Sequence, residues 1–164
     1  MDTKTVTNRM QSLLVLYDMQ STFFKNALDG IDDKDAHNRL NTKANHVVWL
    51  AGSLTEQRYE IAKEMGIDMQ QTAYELFKES KGIQDNITYP PLIDFKKDWE
   101  TISPVTRKVL AQVTDEKLDS QIEMGGMKMT FFDMVAFSIY REANCIGQIA
   151  LWRRLLGYDA MKYE

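Results

Sequence analysis

Four stretches of the chain repeat apolar residues at the three-and-four spacing of one helical face, and polar stretches separate them. The first, Thr5 to Leu28, carries Val6, Met10, Leu13, Leu14, Tyr17, Ser21, Phe24 and Leu28 on one side and stops at Asp29-Gly30. Residues 31–39 are too polar for a core helix and read as a loop. Asn41 or Thr42 then caps a second helix that runs to Met65 and ends at Gly66. Residues 67–91 hold apolar clusters without a sustained period and close on Tyr89-Pro90-Pro91, giving a long connection that should pack over something. A third pattern runs from Leu92 through Phe95, Trp99, Ile102, Thr106, Leu110 and Val113. Pro104 interrupts it, which is compatible with one bent helix or two short ones. Residues 114–129 read as a connection turning at Gly125-Gly126. A last helix starts near Thr130, reaches Leu156 and is stopped by Gly157. No repeat, low-complexity tract or alternating strand pattern is visible. The expectation is a single all-α domain over residues 1–164: a four-helix bundle with its long connection between the second and third helices.

Composition narrows the chemistry. A chain of 164 residues, 44 % apolar, buries enough surface to fold without a disulfide or metal staple. The lone Cys145 has no intramolecular partner and Met1 to Val6 lack the apolar core of a signal peptide, so a cytoplasmic location is expected. No apolar run approaches membrane-spanning length, which speaks against a membrane partner. Twenty Lys and Arg against 24 Asp and Glu leave a formal charge of −4 with no basic block, which speaks against nucleic acid. Lys96-Lys97 and Arg153-Arg154 read as solvated or helix-end charges. Only two histidines, His37 and His46, are available, too few for a metal site built wholly from imidazoles.

Polar residues fall on faces that should be apolar. On a helical wheel Met134, Ser138, Arg141, Cys145, Gln148 and Trp152 share a stripe of the last helix, and His46, Trp49, Leu50, Ser53, Gln57 and Glu60 share one on the second. Unpaired buried polar groups cost about 1 to 3 kcal/mol each, so two such stripes either satisfy one another or line a wet pocket. Taken singly, Ser and Cys also serve as small core fillers, and an Arg can snorkel from the edge of a face.

The run Asn45-His46-Val47-Val48-Trp49-Leu50-Ala51-Gly52-Ser53, followed by Arg58, resembles the second helix of the DinB/YfiT-like superfamily. Arg141-Glu142-Ala143-Asn144-Cys145-Ile146-Gly147-Gln148-Ile149, leading into Trp152-Arg153-Arg154-Leu155-Leu156-Gly157, resembles its last helix. The resemblance implies a four-helix bundle, frequent dimerisation and, in typical members, a nickel or zinc ion held by three histidines. Some relatives are thiol-dependent transferases or isomerases. Position by position, those histidines correspond to Ser53, Arg141 and Cys145, so all three are replaced.

A guanidinium is no metal ligand, and Arg141 places a permanent positive charge where the ion's would have been. The expectation is a metal-free, non-catalytic small-ligand or interaction module that forms a homodimer. Arg141, Ser53, Gln148, His46 and Cys145 would lie about its pocket, with Trp49 and Trp152 as walls and a small anion such as a carboxylate or phosphate as ligand. In the duller alternative Arg141 pairs with Glu56, Glu60 or Glu142 and seals an obsolete cavity. The enzymatic alternative is a thiol-dependent S-transferase or isomerase that uses Cys145, its thiolate favoured by Arg141, or a metal-dependent hydrolase. The latter would hold nickel or zinc on a relocated set of Cys145, His46 and one of Glu56, Glu60 or Glu142.

Overall fold

A computed structural model describes residues 7–164, so the first two positions of the expected opening helix, Thr5 and Val6, lie outside the described residues. The described chain is mostly helical. Its four long helices are α1 (Asn8–Leu28), α3 (Val47–Glu64), α5 (Leu92–Ala111) and α7 (Phe131–Leu155). Three short helices, α2 (Asp33–Ala36), α4 (Tyr74–Phe77) and α6 (Asp115–Asp119), sit in the connections, with a 3₁₀ turn at Lys78–Ser80 directly after α4.

Local chemistry sets the helix ends. The Thr7 side chain accepts from the Met10 N–H at the start of α1, and Thr130 forms a reciprocal capping box with Asp133 at the start of α7. Gly30, Gly66 and Gly157 follow α1, α3 and α7 with φ of 71°, 86° and 90°, a region other residues enter at a cost. The second long helix begins later than expected. Asn41 and Thr42 lie in the preceding loop, and the cap is His46, whose Nδ1 accepts from the Trp49 N–H at 3.0 Å. The Leu92 N–H at the start of α5 is satisfied by Asp33 Oδ1 of α2 at 2.7 Å.

Pro104 does not divide α5. The carbonyl it leaves without an N–H is that of Glu100, an exposed residue, so one continuous helix results. The connection after α5 holds a two-stranded antiparallel hairpin that periodicity did not reveal, with β1 (Gln121–Met124) pairing β2 (Met127–Thr130). Gly125 and Gly126, both at positive φ, form the tight turn expected there. Arg153 is not a solvated charge: it is buried and donates to the carbonyls of Ala27 and Asp159, tying the end of α1 to the C-terminal segment.

α1 packs against α5 and α7, and α3 packs against the same two. One apolar cluster contains Phe24, Trp49, Phe95 and Ile149. The other contains Met10, Ile61, Leu110 and Phe131. α1 and α7 therefore run from the second cluster to the first, while α3 and α5 run the other way. Because α3 and α5 point in the same direction, the chain must travel back along the length of α3, about 27 Å at the helical rise, before α5 can begin. That return is the long connection over residues 65–91.

Candidate functional site

The return segment folds against α3 at Gly52. A Cβ at this position would stand 2.3 Å from Phe77 Cζ and 2.8 Å from Phe95 Cε1, so only glycine lets α4 lie this close. Gln71 Nε2 donates to the Gly52 carbonyl at 3.2 Å and to Glu56 Oε2 at 2.6 Å, and Asp98 of α5 accepts from both the backbone N–H and the hydroxyl of Thr72. Beyond α4 the chain passes through Glu79 and Ser80, both at φ 57°, a strained region for residues with a Cβ.

Under this strap, between α3 and α7, lies a cavity of about 170 Å³. α3 contributes Trp49, Ser53, Glu56, Gln57 and Glu60. α7 contributes Phe137 and Arg141, the strap Phe77, Ser80 and Lys81, and the hairpin Met124. The Arg141 guanidinium donates to Ser53 Oγ at 2.6 Å and to Gln57 Oε1 at 2.8 Å. It is within 4 Å of no carboxylate among the described residues, so the expected alternative of a pairing with Glu56, Glu60 or Glu142 is not formed. Trp49 is 8 % exposed, and its indole N–H, buried at the cavity wall, has no hydrogen-bond partner. Burial pushes the Glu56 carboxyl up to about 7, against the lowering effect of its bond from Gln71. Burial also raises Glu60, with Arg141 opposing.

The seven residues expected to share one pocket separate. Trp49, Ser53 and Arg141 meet at the cavity. His46 is spent on capping α3 and lines a different groove, with His37, Arg39 and Tyr89. Cys145 is a buried free thiol one turn along α7 from Arg141 and does not line the cavity. Burial raises its pKa, and the lowering effect of Arg141 is weaker, so the anticipated thiolate activation is outweighed. Gln148 is exposed and donates to Asn144 Oδ1 at 2.8 Å. Trp152 is buried, with its indole N–H on the Asn45 carbonyl at 2.9 Å.

The side chains at positions 53, 141 and 145 do not fit a dication. The Arg141 guanidinium has no lone pair to offer and occupies the Ser53 hydroxyl as its own acceptor. Among the described residues no group of three or more His, Cys, Asp or Glu side chains is placed to hold a metal ion, and no helix is long and apolar enough to cross a membrane.

Two features were not legible in the sequence. One is the course of the strap: the long connection does pack over something, as expected, but its place against Gly52 and its contribution of Phe77 and Lys81 come from a segment without periodicity. The other is a buried polar centre in which Arg58 bonds Glu142, Ser21 and Ser103. Its signal was present in the inward-facing Tyr17 and Ser21 of α1, polar atoms in an apolar face that call for a buried donor.

Compared with protein-family models, with curated proteins and with solved structures, the chain finds no match in any of the three.

Proposed function

We propose that this chain is a DinB-like four-helix bundle that has exchanged the family's metal site for a metal-free pocket binding a small carboxylate or phosphate, with no catalytic activity of its own. The observation that carries the reading is the Arg141 guanidinium, fixed by Ser53 and Gln57 at the wall of an open cavity and without an anionic partner. A guanidinium held by neutral groups keeps its charge available, and its planar fork suits carboxylate and phosphate oxygens. The opposed directions of α1 with α7 and α3 with α5, and the long return between α3 and α5, agree with the resemblance in sequence. The raised pKa and burial of Cys145 weigh against the thiol-dependent alternative. The proposed setting is cytoplasmic.

Calorimetric titration with propionate and with inorganic phosphate tests this reading. At least one should bind the wild type, and Arg141→Met should abolish that binding while the chain stays folded. Binding unchanged in Arg141→Met, or no binding by either anion, overturns the proposal.

The proposal extends to a homodimer. Val15, Leu16 and Met19 of α1 and Tyr140, Leu151 and Leu155 of α7 are exposed on two helices that pack side by side. On α7 the small Ala143 and Gly147 lie between Tyr140 and Leu151, so a second copy of the helix can approach closely.

A further inference from the structure

The cavity is lined by side chains of both signs, Arg141 and Lys81 against Glu56 and Glu60, that form no salt bridge with one another. Arg141 lines it without an ion pair, and Glu60 lines it with neither a hydrogen bond nor an ion pair among the described residues. Glu56 adds a second carboxylate, of which one oxygen is taken by Gln71. Side chains of opposite sign in one small space normally collapse onto each other. Here Ser53 and Gln57 hold the guanidinium on one wall, while Glu60 rises from the next turn of α3. The surface beside the cavity is acidic. A neighbouring groove shares Glu60, Ser80 and Met124 with it and adds Glu64, Glu79 and Glu123 against the single cation Lys63. An ammonium group arriving there is drawn in. At about 30 Å³ per water, the cavity holds the equivalent of five or six waters, about the size of a short molecule of six or seven non-hydrogen atoms.

We infer that the ligand of this cavity is a short zwitterion, its carboxylate on Arg141 and its ammonium group on Glu60 and Glu56, of the size of a three- or four-carbon ω-amino acid. This inference rests on the anion-pocket reading above and sharpens it by naming the second charge. Trp49, Phe77 and Phe137 of the cavity wall enclose the ligand's methylenes.

The test compares matched probes on the wild-type protein by calorimetry: β-alanine and 4-aminobutyrate, the carboxylates propionate and butyrate, and the amines ethylamine and propylamine. At least one ω-amino acid should bind about tenfold or more tighter than both of its one-charge counterparts. Glu60→Gln should reduce that affinity to the level of the matching carboxylate without weakening the carboxylate itself. Equal affinity for the carboxylate and the ω-amino acid in the wild type would overturn the zwitterion inference and leave the anion pocket standing. Binding by amines alone, or by none of the six compounds, would overturn both. The wild-type comparison decides the matter even if Glu60→Gln fails to fold.

Discussion

Arg58 and Glu142 meet fork to fork in the middle of the protein, with Nε to Oε1 at 2.7 Å and Nη2 to Oε2 at 2.9 Å, and neither side chain is more than 1 % exposed. The guanidinium carbon lies 3.8 Å from the centroid of the Tyr17 ring and 3.6 Å from that of Trp99, and Nη1 donates to the hydroxyls of Ser21 and Ser103. One side chain of α3 thus ties together all three other long helices. The adjacent Arg141 points instead to the cavity, so two neighbouring charges on α7 serve separate sites.

A buried pair with its remaining donors satisfied adds little net stability over an apolar pair, but removing one partner strands a charge. Arg58→Met should therefore cost about 3 to 5 kcal/mol in urea unfolding, and Arg58→Met with Glu142→Leu should recover most of that loss. Additive costs in the double variant would show that the pair is not the coupled unit described.

The pH dependence should contain two opposed contributions. Burial, with repulsion from His37, lowers His46 from 6.5 to about 4, so between those values the unfolded chain binds the extra proton. The stability His46 contributes is complete above pH 6.5 and disappears as pH falls to 4. Glu56 is raised from 4.5 to about 7, so in that window the folded chain binds the extra proton. Its contribution is complete below pH 4.5 and disappears as pH rises to 7.

Each shift is worth up to about 3 kcal/mol. His46→Asn, which preserves a capping side chain, should become relatively more stable than wild type on acidification from pH 6.5 to 4. Glu56→Gln should gain on wild type as pH rises from 4.5 to 7. Chemical unfolding across pH checks both, and parallel profiles for the variants and wild type would contradict the assigned burial.

Gly52→Ala should displace Phe77 and loosen the strap, at about 1 to 3 kcal/mol, because the new methyl has no space against Phe77 and Phe95. Combining it with Phe77→Leu should restore part of the loss, and hydrogen exchange over residues 72–81 should report the loosening directly. Unchanged exchange in Gly52→Ala would mean that the close contact does not hold the strap.

What the sequence showed was mostly local. Thr130, Gly66 and Gly157 mark helix ends through bonds and dihedrals within a few residues, and the turn at Gly125-Gly126 was visible for the same reason. The hairpin around that turn was not, because each strand has only four residues, too few for an alternation to stand out. His46 hid the start of α3 because imidazole is an unusual cap, and the more favoured Asn41 and Thr42 stood upstream. At the site, Trp49, Ser53 and Arg141 were legible from helical spacing. Glu142 as the partner of Arg58, 84 residues away, and Phe77 over Gly52 depend on how separate elements meet, which periodicity does not encode.

The three tryptophans provide the most direct test of the ligand pocket. The indole N–H groups of Trp99 and Trp152 are bonded to the carbonyls of Ser21 and Asn45, and that of Trp49 alone is unpartnered at the cavity wall. In ¹H–¹⁵N spectra assigned with Trp49→Phe, titration with at least one of propionate, phosphate, β-alanine and 4-aminobutyrate should shift the Trp49 indole resonance saturably while those of Trp99 and Trp152 stay in place, and Arg141→Met should abolish the shift. A Trp49 resonance that moves with none of the four, or three resonances that move together, would contradict a ligand site at Arg141.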